Sequence, residues 1–548
     1  MSAATVEAAA PARAVGGMSE RGGGELTGTG TLTRFVVRRD RVRIAVWIVA
    51  IAVLVLSTAA SVKGLFPTQA DLDEAAASVH GNAAAIVFNG PDQALDTMGG
   101  QVAFQIGAFG LVVMALMGIF MVGRETRSEE ESGRLELVRA MAVGRHAPTA
   151  AALIVAVGMS VVVGALVTLS TLAQGLPAEG CLVFGASFLA TGLVFSAVAL
   201  VAAQVTENTR VVYGLSGVVV GASFVLRAAG DVGDGTLSWF SPIGWAQKSR
   251  PWAGDEWWPL LLPLAATVGL VVLAGSLATR RDVGGGLVPP RPGPARAAPS
   301  LGSPLGVALR LQRGTVIAWT AGLVLTGIAY GSVANDVEDF VGDNDSLKEI
   351  IARAGGSLVD SYLATSLLML ALMGSGFAIS SVLRLRSEET ALHAESLLAT
   401  PVARTRWVAS HLIVALAGSA LVVGLTGLSV GLTYGIAAGD LGQAPRLFAA
   451  SLAYLPAVWL LIGVALALFG LAPRATLAAW GVLGACFVVG LLGDVLNLPT
   501  WTRDLSPFEH VPQVPAADLD VVPLVVLTLV AAGLVAAGLA GFRRRDLG

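Results

Sequence analysis

The sequence predicts an all-α integral membrane protein with twelve transmembrane helices arranged as two parallel six-helix repeats. Three observations lead there. The 548 residues are 55% hydrophobic and only 13% charged, with mean hydropathy +0.74, which leaves too little polar surface to cover a soluble globule. Twelve apolar segments are long enough to cross about 30 Å of hydrocarbon. A charged phrase, Arg127-Ser128-Glu129-Glu130, recurs as Arg386-Ser387-Glu388-Glu389 just after the second segment of each half.

Residues 1–30 are Ala, Gly, Ser and Thr with scattered charges; they lack a signal-peptide core and read as a disordered cytoplasmic tail. Residues 31–43 set Leu32, Phe35 and Val36 opposite several arginines, as in a helix lying on the inner leaflet. Six spans follow near 44–62, 102–122, 149–172, 181–203, 211–229 and 259–278, completing a first repeat over 31–282. Residues 283–304 form a Gly/Pro-rich cytoplasmic linker that no helix crosses intact. The second repeat, 305–548, has spans near 315–333, 362–383, 408–436, 447–470, 475–495 and 521–541.

Arginine placement orients the chain, since basic residues in short loops stay on the cytoplasmic side. Arg34, Arg38, Arg39, Arg41 and Arg43 precede the first span and Arg543, Arg544 and Arg545 follow the last, so both termini are expected inside. The loops after spans one and seven are acidic, with Asp71, Asp73 and Glu74 in one and Asp336, Glu338, Asp339, Asp343 and Asp345 in the other. Lys63, Lys248 and Lys348 fall on that outer side, against the trend. The halves also match at Ala115-Leu116-Met117-Gly118 with Ala371-Leu372-Met373-Gly374, at Ser241-Pro242 with Ser506-Pro507, and at Arg280-Arg281-Asp282 with Arg544-Arg545-Asp546. Because each half starts inside, the repeats are parallel.

Most chemistry is excluded. No lysine follows a glycine, so the chain has no phosphate-binding loop, and ATP, if it drives this protein, is hydrolysed elsewhere. His80, His146, His393, His411 and His510 show no metal spacing, and Cys181 and Cys486 lie in apolar stretches. A proton relay would usually leave Asp, Glu, Lys or Arg inside spans. Only Asp494 and Arg227 come close, and both read as interfacial groups, or else as lining of a polar outer vestibule.

In the repeated phrase, Ser128 with Glu131 three residues later fits an N-cap and capping box, so a short helix is expected to start there. On such a helix Glu129 and Glu136, like Glu388 and Glu395, lie on one face two turns apart, with Leu135 and Val138, or Leu392 and Leu397, between. The face suits a groove on a cytosolic partner whose Arg or Lys meets the carboxylates. A capped helix that merely turns the chain is the alternative.

The paired glutamates, the Leu-rich run and the ending Thr400-Pro401-Val402-Ala403-Arg404 resemble the cytoplasmic loop of ABC-2 type export permeases; the first copy has Ala142 where the second has Pro401. The stretch Ser241 to Gln247, continuing through Pro251-Trp252 to Trp257-Trp258-Pro259, and the stretch Asn89-Gly90-Pro91 to Gly99-Gly100 are similar to the fused twelve-span permeases of that class assigned to polyketide antibiotic export and multidrug efflux. The second half departs from this pattern, with Glu509-His510-Val511-Pro512 in place of Gly-Trp-Ala-Gln.

The resemblance implies a permease subunit with no enzymatic activity of its own, in the bacterial cytoplasmic membrane. It would be driven by two cytosolic ABC ATPase subunits, expected as a homodimer carrying ATP and Mg, with no cofactor in this chain. Coupling would fall to Glu129, Glu130, Glu131, Arg134, Glu136 and Arg145 in one copy and Glu388, Glu389, Glu395 and Arg404 in the other. Phe104, Gln105, Phe120, Phe224, Phe377 and Phe487 would line a substrate cleft between the halves, taking hydrophobic small molecules such as drugs or polyketides. Lipids are the other expected partner, and nucleic acid is not. The Trp-rich stretch reads as an aromatic belt, or as an outer gate of re-entrant half-helices. A lipid or cell-envelope precursor translocase of the same class and a secondary multidrug antiporter are the competing functions.

Overall fold

The computed structural model describes residues 24–81, 83–282, 284–289, 293–334, 357–492 and 499–545, and every regular element among them is a helix. The chain divides into two compact units, Met1–Arg291 and Pro292–Gly548. Among the described residues, eleven helices are long and apolar enough to cross a membrane. In the first unit they are Arg41–Leu65, Met98–Glu131, Ala147–Leu172, Ala178–Val205, Thr209–Val232 and Trp258–Ala278, called spans one to six below. In the second unit they are Pro304–Val333, Leu358–Thr390, Arg404–Ala438, Gln443–Leu471 and Val521–Arg544.

The segment expected at 475–495 appears as a shorter apolar helix, Ala478–Leu492; Asp494 and the remainder of that segment lie outside the described residues. The expected acidic loop from Asp336 to Asp345, and Lys348, lie outside them as well.

The most deeply packed spans are Met98–Glu131 and Ala178–Val205 in the first unit and Leu358–Thr390 in the second, each with 72% of its most apolar window buried, against 17% in Arg41–Leu65. Small residues let backbones approach where apolar contact alone gives no preference between protein and lipid. A Cβ on Gly470 would stand 2.0 Å from the carbonyl oxygen of Gly538, and one on Gly538 2.5 Å from that of Leu466, so Gln443–Leu471 and Val521–Arg544 meet backbone to backbone.

Three expectations need correction. Residues 24–28 are not free tail: Gly144 N donates to Thr27 O at 2.9 Å and His146 N to Glu25 O at 3.0 Å, and a helix runs from Thr29 to Arg39. Residues 1–23 lie outside the described residues. Arg227 does not line a water-filled vestibule. It is fully buried, 3.6 Å from Asp231, and donates to the carbonyls of Ile86 and Val87 at 3.1 and 2.8 Å. There it neutralises the C-terminal end of the short helix Ala83–Asn89. Finally, the Trp residues divide: Trp257 and Trp258 are exposed, as a belt requires, whereas the Trp252 ring fills space left by Gly99 and Gly180.

Candidate functional site

The repeated phrase begins where span two changes pitch. Arg124–Ser128 forms a π-helical turn, and Ser128 has helical dihedrals with no side-chain cap hydrogen bond. The expected capping box at Ser128 is therefore absent, because the span continues through it. Its counterpart Ser387 likewise lies inside Leu358–Thr390. The separate short helices start later, at Arg134–Arg139 and His393–Leu398. Each follows a left-handed residue, Gly133 at φ 72° and Leu392 at φ 61°. Glu129 and Glu136 thus sit on different helices, as do Glu388 and Glu395, and the single acidic face does not form.

The widened turn instead sends Arg127 inward. Its side chain is 1% exposed, and its guanidinium donates to Ala203 O at 2.7 and 3.2 Å, at the end of span four, and to Gly285 O at 3.1 Å. Arg127 also donates to Glu130 at 2.6 Å. The same carboxylate takes two parallel bonds from Arg281, just past span six, at 2.8 and 2.9 Å, the fork geometry that makes Arg–carboxylate pairs strong. Arg281 is fixed in turn by Gln204 Oε1 at 2.7 Å.

The second unit repeats the arrangement with other residues around it. Arg386 donates to Glu389 at 3.0 Å. Arg545 reaches both Glu389 oxygens, with a hydrogen bond of 2.9 Å to Oε2 and a close ion contact of 2.7 Å to Oε1 that lacks hydrogen-bond alignment. The Arg545 guanidinium also lies over the Phe469 and Phe542 rings, 4.8 and 5.1 Å from their centroids. Even the trailing arginines correspond: Arg145 donates to Ala278 O at 3.1 Å and Arg404 to Arg545 O at 2.9 Å. In both units a cation thus meets backbone carbonyls at the end of the last span.

The other acidic residues differ between units. Glu129 pairs with Arg39 at 3.2 Å and Arg134 at 3.3 Å, and Glu131 accepts from Thr209 N and Oγ1 at 3.1 and 2.5 Å, capping span five. Glu388 pairs with Arg384 at 2.5 Å and His393 at 3.1 Å. A further ionic knot surrounds Asp40, which receives Arg39, Arg43 and Arg124 at 2.9, 2.8 and 3.1 Å. Burial opposes ionisation of Asp40, but the Arg39 hydrogen bond and the Arg124 charge outweigh it and hold the carboxyl below its usual range.

Of the ten residues expected to couple, Glu130, Glu389, Arg145 and Arg404 thus tie each loop to its own last span. Glu136 and Glu395 are exposed, beside the exposed Leu137, Met141 and Leu392. Sequence reasoning assigned no role to Arg281, Arg545 or Asp40. The matched Arg-Arg-Asp triplets after the last spans were the signal for the two arginines.

The residues expected in a substrate cleft divide between the two units. Phe104 lines a small cavity of about 40 Å³ at the end of the first unit opposite the charged phrase, together with Phe184, Gln93, Gln247 and Arg250. Gln105 is half-buried on the same helix but is not part of that lining. Phe120 packs between Trp47 and Tyr213 at 6.2 and 5.1 Å, and Phe224 lies under Arg227 at 4.4 Å. Phe377 and Phe487 are core packing of the second unit. Among the described residues no His, Cys, Asp and Glu grouping could hold a metal ion.

Comparison with known proteins fits this architecture. The multidrug efflux system permease protein Rv1217c of Mycobacterium tuberculosis (strain ATCC 25618 / H37Rv) is 42% identical over 551 residues, covering 100% of both chains. The family model for the C-terminal domain of the multidrug efflux system permease Rv1217c matches residues 301–543.

Proposed function

The chain belongs to the family of the multidrug efflux system permease Rv1217c, and we propose that it is the membrane-spanning subunit of an ABC exporter that expels hydrophobic small molecules. The full-length likeness to an efflux permease carries this reading. The chain has no phosphate-binding loop, so the ATP and Mg would sit on two separate cytosolic ATPase subunits. Twelve crossings in two six-helix halves, with both termini and the charged loops cytoplasmic, complete the proposal; Ala478–Leu492 would begin the remaining crossing.

The paired loops give the coupling a physical route. An ATPase subunit seated on the short helices Arg134–Arg139 and His393–Leu398 would move them. Because Glu130 is bonded to Arg281 and Glu389 to Arg545, that motion would reach the second and last spans of each half together. The exposed Glu136 and Glu395 are the carboxylates available to a basic partner surface. Inverted membrane vesicles holding this chain with its ATPase are expected to accumulate a fluorescent hydrophobic drug only when ATP is supplied. Equal accumulation without ATP, driven by a proton gradient, would overturn the proposal.

A further inference from the structure

We propose that the outward face of the helix Thr29–Arg39, with the start of span one, is a docking surface for acidic phospholipid headgroups, and that their binding steadies the charged loop of the first unit. The inference concerns the chain and its bilayer alone and stands apart from the export reading.

The arginines of this stretch divide by what they meet. Arg39 turns toward the protein, and Arg43 reaches Asp40 at 2.8 Å. Arg34, Arg38 and Arg41 are exposed, and among the described residues none of the three has an ion-pair or side-chain hydrogen-bond partner. Arg34 and Arg38 stand one turn apart on the same helix face, where like charges repel. An anionic surface relieves that repulsion. Residues 1–23 supply no such counter-charge, since Glu7 and Glu20 are balanced by Arg13 and Arg21.

Lipid is the partner that fits the apolar side chains between the arginines. Phe35, Val37 and Val42 are 54%, 44% and 70% exposed, and span one continues from this face directly into an apolar run. At headgroup level the ring and methyls enter the acyl boundary while the guanidinium groups stay among phosphates.

The helix is fastened to both ends of the charged loop. At the entry, Arg39 meets Glu125 at 2.5 Å and Glu129 at 3.2 Å, and Asp40 holds Arg124 at 3.1 Å, all at or beside the π turn. At the exit, Gly144 N donates to Thr27 O at 2.9 Å and His146 N to Glu25 O at 3.0 Å. Holding this helix on the bilayer therefore holds the loop.

The second half lacks the link. Arg41 and Arg313 each stand six residues before a tryptophan, Trp47 and Trp319; that match keeps Arg310 at the place of Arg38 but puts Gly306 at Arg34, Leu311 at Arg39 and Gln312 at Asp40. Gln312 hydrogen-bonds His411 at 3.0 Å and accepts from Ser381, a neutral network. There the helix Pro304–Val333 runs on without the break at Asp40.

The test has two readings on the purified full-length chain. In neutral detergent, tryptophan-to-pyrene energy transfer compares pyrene-labelled phosphatidylglycerol with pyrene-labelled phosphatidylcholine. The acidic lipid should bind at least about fivefold tighter, the worth of one engaged arginine. In phosphatidylcholine nanodiscs, a glutamate-specific protease cuts at Glu136 of the first loop and Glu395 of the second, both exposed. Added phosphatidylglycerol should slow the cut at Glu136 about fivefold relative to Glu395, and inorganic phosphate should not. Arg34→Gln/Arg38→Gln/Arg41→Gln, which removes no internal partner, should melt like wild type and lose both effects, whereas the triple Lys variant should keep them. Equal binding of the two lipids, a cut at Glu136 that phosphatidylglycerol leaves unchanged or slows no more than that at Glu395, protection by phosphate alone, effects undiminished in the folded Gln variant, or their loss in the Lys variant would each overturn the inference. Neither reading uses an ATPase or ATP, so failure here leaves the export reading untouched, and failure of ATP-driven transport leaves this surface untouched.

Discussion

Replacing Arg281 or Glu130 should cost far more stability than replacing a surface ion pair, and the two losses should not add. Glu130 faces three guanidinium nitrogens at 2.6, 2.8 and 2.9 Å, and the side chains of Glu130 and Arg281 are 8% and 10% exposed, so solvent and salt screen them little. Removing one partner of a buried pair costs ~3–5 kcal/mol, much of it from the charge left behind. Arg281→Gln leaves Glu130 with Arg127 and belongs at the lower end, about 3 kcal/mol. Glu130→Gln leaves two cations against a neutral amide and belongs nearer 4–5 kcal/mol, roughly. The double variant orphans fewer charges than the sum implies, giving a coupling of about 2–3 kcal/mol. Cys181 and Cys486 are free, buried thiols, one in each unit, so labelling by a thiol-reactive dye during denaturation reports the units separately. The Glu130/Arg281 cycle is read at Cys181 in a Cys486→Ala background, and a Glu389/Arg545 cycle at Cys486. Single losses that sum within about 0.5 kcal/mol would refute the reasoning.

Leu392 and Gly133 occupy equivalent left-handed positions, and a Cβ on Gly133 would meet nothing within 4 Å. The difference is therefore purely backbone strain: Leu392→Gly should stabilise the second unit by about 1 kcal/mol and Gly133→Leu destabilise the first by about as much, read by the same thiol labelling. At the contact of the tenth and last spans, Gly538→Ile should abolish folded protein in size-exclusion profiles, since a Cβ there meets backbone at 2.5 Å. Gly533→Ile, where a Cβ meets nothing within 4 Å, should be tolerated. Asp40 has a lowered folded-state carboxyl pKa, so its contribution is fully present above the unfolded value of about 3.9 and is lost as pH falls through the lower folded value. Proteolysis of the Thr29–Arg39 junction with span one should thus rise as the pH falls below about 4.

Where the bilayer dictates the answer, the sequence was legible. Arg41–Leu65 and Val521–Arg544 follow from apolar length, because a continuous apolar run of that length crosses hydrocarbon as a helix, which satisfies its own backbone hydrogen bonds. The internal repeat was legible for the same reason that its function is plausible: the same charged residues recur where charges are scarce. What stayed hidden depended on partners distant in the chain. Glu130 looked like part of a solvent-facing helix, yet its partner Arg281 lies 151 residues away, and the π turn at Arg124–Ser128 that turns Arg127 inward has no sequence signature. The capping pattern at Ser128 was overridden by continuation of a buried span. The phenylalanines assigned to a cleft could not be told from packing, and of them Phe104 lines a cavity. Gln247 stood within a recognised stretch, but its orphaned amide is visible only in three dimensions.

The structure also dictates which residues can test docking on an ATPase. Reversing Glu129 or Glu388 would break the internal pairs with Arg39 and Arg384, confounding loss of a partner with loss of the loop. Glu136 and Glu395 are exposed and free of that ambiguity. The most direct measurement is co-purification of this chain from its native host, wild type against Glu136→Arg/Glu395→Arg, followed by an ATPase assay of each preparation. A nucleotide-hydrolysing subunit retained by wild type and lost from the double variant, with thiol labelling unchanged, is the expected result. Absence of any such subunit with wild type, or equal retention by both proteins, would contradict it.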